Sequence, residues 1–137
     1  MKNRITIEVV VNVNLQKVWD FWTKPEHIVN WNFASDDWHC PKATNDLRVG
    51  GKFSATMASK DGTMSFDFEG VYNEVVELNK IAYAMADGRQ VLVAFEKQGN
   101  TTVVTEVFDP EDQNPLEMQK NGWQSILNNF KEYVEAN

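Results

Sequence analysis

The stretch 25-PEHIVNWNFASDDWHC-40 holds both histidines of the chain, its only cysteine, two tryptophans and two adjacent aspartates. Histidine, cysteine and carboxylate side chains can together ligate zinc or activate a thiolate, so chemistry is sought here first. A zinc site needs ligands that converge, often as pairs spaced by roughly two to four residues. His39 and Cys40 are adjacent, His27 lies a helix and a loop away, and neither Asp36 nor Asp37 adds a regular spacing. No metal is expected. A nucleophilic Cys40 would need a base and a positive setting. His39 is next to it, but neighbours on an extended chain point opposite ways, and the aspartate pair disfavours a thiolate. Cys40 therefore reads as an inert thiol.

Other chemical patterns are weak. Gly50-Gly51 is followed by Lys52 and Phe53, but it lacks the spacing of a phosphate-binding loop and leads into a strand. No G-x-S-x-G elbow occurs. Asp67 and Glu69 share a strand face opposite Phe66 and Phe68 and read as solvated. Glu74, Glu77, Glu96 and Glu106 read the same way, as surface charge. Arg89, beside the Asp87-Gly88 turn, reads as a surface residue, with anchoring of an acidic ligand as the alternative. The polar groups best able to meet a ligand are Tyr72, Tyr83 and His39. A tyrosine on an inner face offers an apolar ring and one hydroxyl that needs a partner. There is no recognisable catalytic constellation, and no cofactor is implied.

Composition bounds the rest. The 137 residues suit one domain, 1–137, and 42% hydrophobic content suits a single core. A net charge of −7 argues against nucleic acid and anionic lipid surfaces, which both require clustered Lys and Arg. No apolar run approaches the roughly 20 residues of a membrane span, so no membrane insertion is expected. The opening MKNRITIEVVVNVN alternates like a strand and resembles no signal peptide. A single cysteine fits a reducing cytoplasm.

Elements follow from periodicity. Ile5, Ile7, Val9, Val11 and Val13 share one parity, which predicts a strand over 3–13. Asn14 can cap a helix over 15–22, and Thr23 with Pro25 can open a second over 25–31. Residues 32–45 read as an irregular loop. A turn at Gly50-Gly51 begins a meander of strands over 51–60, 63–76, 80–86, 89–98 and 101–109, with turns at Asp61-Gly62, Asn79-Lys80, Asp87-Gly88 and Gly99-Asn100. Asp-Gly predicts type I′ hairpin turns, and links so short join antiparallel neighbours. Asn114-Pro115 can then cap and start a long helix, with Leu116, Trp123, Leu127, Phe130 and Val134 in one stripe and Gly122 interrupting it. The class is α+β: a curved antiparallel sheet whose inner face is covered by the last helix.

The ordered set 18-VWDFWTKPEHIVNW-31, 46-DLRVGGKF-53, 61-DGTMSFDFEGVYNEVVE-77 and 122-GWQSILNNFKEYVE-135 resembles the Hsp90-ATPase-activator-homologue branch of the START-like (SRPBCC) superfamily. The resemblance spans nearly the whole chain. It implies a helix-grip (START/Bet v 1-like) fold with an apolar cavity between sheet and C-terminal helix, and a small apolar or aromatic ligand. Polyketide cyclase or aromatase activity, and an Hsp90-type chaperone as partner, are the alternatives it carries. The residues expected to line or close the cavity are Trp31, Phe33, Trp38, His39, Met57, Phe66, Phe68, Tyr83, Met85, Phe95, Trp123 and Leu127. Phe33 and Trp38 are the lid candidates. Met57, Met64, Met85 and Met118 supply adaptable apolar surface. A monomer or weak homodimer is expected, because exposed sheet edges can pair.

Overall fold

The structure is a computed structural model that describes residues 4–137. Strand β1 (Ile5–Val11) buries Ile5, Ile7 and Val11 and turns Thr6 and Glu8 outward, as its alternation requires. Helix α1 (Leu15–Thr23) starts where the Asn14 side chain accepts the Lys17 N–H at 2.9 Å. Pro25 opens α2 (Pro25–Ile28), whose N-cap is Lys24. Thr23 does not cap it, because its hydroxyl donates to the Trp19 carbonyl at 2.9 Å.

The segment expected to be a loop contains a strand, β2 (Trp38–Asn45), antiparallel to β3 (Lys52–Ser59). β2 is an edge strand, and its register shifts between His39 and Lys42, around Pro41. Proline lacks the N–H a ladder needs, so it is tolerated at edges and bulges. Only Cys40 of this strand is buried, which removes the alternating apolar signal.

The meander continues as β4 (Ser65–Val76), β5 (Lys80–Met85), β6 (Gln90–Gln98) and β7 (Thr101–Phe108). The strands form one curled antiparallel sheet in the order β1-β7-β6-β5-β4-β3-β2. Both Asp-Gly hairpins form, but with a different turn. Only the glycines have positive φ, 79° at Gly62 and 90° at Gly88. Gly62 donates to the Ser59 carbonyl and Gly88 to that of Met85, the pattern of a type I turn closed by a left-handed glycine. The Asn79 N–H donates to the Val76 carbonyl, so the central pair of the β4–β5 turn is Glu77-Leu78 rather than Asn79-Lys80, with Leu78 itself left-handed at φ 63°.

Helix α3 (Leu116–Ala136) follows Pro115, its N-cap, rather than an Asn114 cap. The Glu111 carboxylate instead accepts the backbone N–H groups of Gln113 and Asn114. Leu127, Phe130 and Val134 are fully buried against the sheet and α1. The Phe130 ring meets the edges of Trp22 and Trp31, with centroids 4.9 and 5.0 Å away. This aromatic cluster fixes the first two helices against the third. It sits beside the space that the sheet curls around. No helix among the described residues is long and apolar enough to cross a membrane.

Candidate functional site

Between the inner face of the sheet and α3 lies a pocket of about 280 Å³. Its walls follow from strand alternation. β3 contributes Phe53, Ala55 and Met57, and β4 contributes Phe66, Phe68 and Tyr72. Gly70 stands between the last two. A Cβ there would lie 2.6 Å from the Phe53 ring and 2.7 Å from that of Tyr83. The bare backbone lets these rings close edge-to-face, with centroids 4.6 Å apart. Ile81 and Tyr83 come from β5, Trp123 and Ile126 from α3, Trp22 and Ile28 from the helical pair, and Trp31 from the turn after α2.

One wall residue is acidic. Glu106 on β7 is only 5% exposed, and it lines the pocket. It lies opposite Ile7 of β1 and Val93 of β6 in register, on the inner parity of β7 with Thr102, Val104 and Phe108. The reading of Glu106 as surface charge is therefore corrected. Its carboxyl hydrogen-bonds no protein group among the described residues. No fully enclosed side-chain oxygen or nitrogen lacks a partner, so the carboxyl oxygens open onto the pocket. Burial pushes this acid up to about 8, because the charged form loses hydration and gains nothing in return.

The other polar groups of the wall divide into engaged and free. Tyr72 donates its hydroxyl to Asn45 Oδ1 at 2.6 Å, and burial raises its pKa. The Arg89 guanidinium donates to Asp87 Oδ2 at 2.7 Å. Asp87 is held below its ordinary range, chiefly by the Arg89 backbone N–H. Tyr83 has no hydrogen-bond partner among the described residues. Burial, followed by the charge of Glu106, holds its phenol neutral far above the ordinary range. A free carboxyl and a free phenol thus share one largely apolar space.

Of the residues singled out by sequence, Trp31, Met57, Phe66, Phe68, Tyr83 and Trp123 line this pocket. Phe66 is nevertheless half exposed, at the mouth, where Trp38 packs on it with centroids 5.9 Å apart. Phe33 lies outside the wall, and its carbonyl accepts the Asn129 amide at 2.6 Å. Met85, Phe95 and Leu127 are buried in the core beyond the wall, with Phe95 packed on Trp19 and Trp22. Met64 and Met118 are exposed rather than inner.

The stretch that opened the search is dispersed. His39 is exposed on β2. His27 bonds the Tyr133 hydroxyl at 2.9 Å and stacks on Phe21. The Cys40 thiol is buried, turned to the Lys42 carbonyl at 3.4 Å, and burial raises its pKa. Sequence reasoning missed Glu106, Trp22 and Ile126 as wall residues, whereas the parity that Phe53 shares with Ala55 and Met57 does put it on the inner face.

Residues 12–135 match the family described as "Activator of Hsp90 ATPase homolog 1-like protein". An AHSA1-like protein from Aeromonas hydrophila, solved by NMR, is 42% identical with a TM-score of 0.92, over 98% of this chain and 93% of that one. A protein from Cytophaga hutchinsonii is 52% identical with a TM-score of 0.84, over the same 98% and 93%. A Nitrosomonas europaea protein at 20% identity, TM-score 0.83, covering 97% and 94%, shares the fold. No curated protein matches the chain. A family match over nearly the whole length, on a curled sheet that grips its last helix, means that this chain belongs to the activator of Hsp90 ATPase homolog 1-like family and has the helix-grip fold of the START-like superfamily.

Proposed function

We propose that the chain binds a small apolar or aromatic molecule between its sheet and α3. The observation that carries this reading is the aromatic-walled pocket of about 280 Å³ with an unpartnered acid in its wall. Ligand sites are typically apolar with a few well-placed polar groups, and this volume suits a compact ligand. Trp31, Met57, Phe68 and Trp123 would enclose its body, Phe66 with Trp38 would flank its entry, and Tyr83 and Glu106 would meet its polar group. Native mass spectrometry of freshly purified protein, compared with its denatured mass, tests this. A noncovalent extra mass supports the reading, as does saturable uptake of an apolar probe that Phe68→Asp abolishes. A pocket that takes up neither sinks it.

The family match supplies a second reading, a co-chaperone acting on an Hsp90-type ATPase. Its test is the ATPase rate of the host's Hsp90 with and without the purified chain. An unchanged rate removes it. A ligand released with a new covalent mass would instead favour an enzyme using Glu106 and Tyr83 as acid and base.

A further inference from the structure

The free polar groups of the pocket narrow the chemistry of what it takes. The Tyr72 hydroxyl donates to Asn45, and Arg89 pairs through its Nε with Asp87. What remains is one ionisable carboxyl, Glu106, one phenol, Tyr83, and the neutral side chains of Asn32, Thr44 and Ser54. The wall therefore offers one ionisable acid without a partner, and its one cation already has a carboxylate partner. Its eight aromatic side chains, among them Trp31, Phe68, Tyr83 and Trp123, present π faces, and such faces attract cations more strongly once desolvated. The net charge of −7 adds a long-range pull of the same sign.

We propose that the pocket receives an organic cation, an amine or quaternary ammonium on an apolar or aromatic body, whose charge pairs with Glu106. This rests on the pocket being a ligand site. The surroundings of Glu106 support it. Ile7 and Val93 lie opposite it on β1 and β6, and Trp123 from α3 stacks on Phe108, two residues along β7, at 3.9 Å. Tyr83 on β5 and Tyr72 on β4 are neutral phenols. Arg89 is the one charged neighbour in the wall besides Glu106, and Asp87 offsets it. No group among the described residues thus neutralises the carboxylate, and a bound cation would supply what the wall lacks. An anionic ligand would meet an acid and an arginine already paired.

The consequence is a pH signature. Empty, Glu106 keeps its proton up to about pH 8. A bound cation stabilises the ionised form, so binding releases that proton. Affinity should then weaken by about tenfold for each pH unit below that value.

The experiment is calorimetric titration of the full chain with 4-phenylbutylamine, 4-phenyl-1-butanol and 4-phenylbutyrate, at about pH 6 and about pH 9, where the amine stays protonated. The inference expects the amine to bind tightest at the higher pH and to lose that advantage at the lower. Glu106→Gln should abolish the pH dependence of the amine's binding and remove its advantage over the alcohol. An amine no tighter than the alcohol at high pH overturns it, as does a preference that survives Glu106→Gln, or a preference for the butyrate. In each of those cases the pocket still binds, and the reading under it stands. Failure of all three probes at both pH values overturns both. If Glu106→Gln does not fold, the pH series on the unmodified chain decides alone.

Discussion

Glu106 costs the fold stability, and the sign of that cost can be worked out. Its pKa is raised from 4.5 to about 8 by burial. Between those values the folded chain holds a proton that the unfolded chain has lost. Stability therefore falls as pH rises across that window, and the full cost is present above it. A displacement of this size corresponds to an upper figure on the order of 5 kcal/mol. Urea midpoints should drop between about pH 5 and about pH 9, while Glu106→Gln, which keeps the shape without the charge, should flatten the curve. Equal midpoints for the native chain at both ends would mean that the carboxyl is hydrated. This residue was not legible in the sequence, for a definite reason. Alternation tells which residues of a strand share a face, not which face is inner. On β7 the set Thr101, Val103, Thr105 and Val107 carries no charge, whereas the buried set Thr102, Val104, Glu106 and Phe108 carries one. Hydropathy alone points the strand the wrong way round.

Two glycines distinguish elements that are packed from elements that are open. At Gly122, midway along α3, an added Cβ meets nothing within 4 Å. Gly122→Ala should therefore stabilise the chain by about 1 kcal/mol, the helix-propensity difference, as a higher denaturation midpoint. A lower midpoint would mean that the helix needs its freedom there. Gly70 is the reverse case, since its Cβ would press into the Phe53 and Tyr83 rings. Gly70→Ala should cost about 1–3 kcal/mol by overpacking and shift the near-ultraviolet circular dichroism of those rings. An unchanged spectrum and midpoint would show that the rings yield freely. Most elements were legible because each had its own period or cap: Asn14 before α1, the alternation of β1, and the stripe of α3. β2 was not, because Pro41, a bulge and one buried residue leave an edge strand without a pattern. The turn type failed for a related reason. Asp-Gly marks a reversal, but the left-handed residue is the glycine alone, at the last turn position.

A sheet of seven strands that does not close has two edges, and whether the molecule stays single depends on both. On the β1 edge the backbone groups turned away from β7 are taken up by α3. Gln124 donates to the Glu8 carbonyl at 3.3 Å, and Lys131 donates to that of Val10 at 2.7 Å. Just past the strand end, Glu135 accepts the Asn12 N–H at 2.8 Å. These side chains occupy the positions that a second chain's strand would need. On the β2 edge, protection comes from Pro41, which donates nothing, and from the register shift beside it. Bulges and prolines are recurrent ways of blunting an exposed edge. This arrangement could not be seen in the sequence, because residues 10 and 131 become neighbours only once the helix is laid on the sheet. The same holds for the pocket, whose wall draws on three helices and five strands that no local pattern connects. The expected outcome is a monomer by sedimentation velocity across the micromolar range. Lys131→Ala combined with Gln124→Ala frees two carbonyls on one edge and should raise self-association, while Pro41→Val should do so on the other. If the unmodified chain already dimerises and neither variant changes the equilibrium, association runs through another surface. The exposed apolar side chains of Phe66, in the pocket wall, and Met64, two residues before it, would then be the first place to look for it.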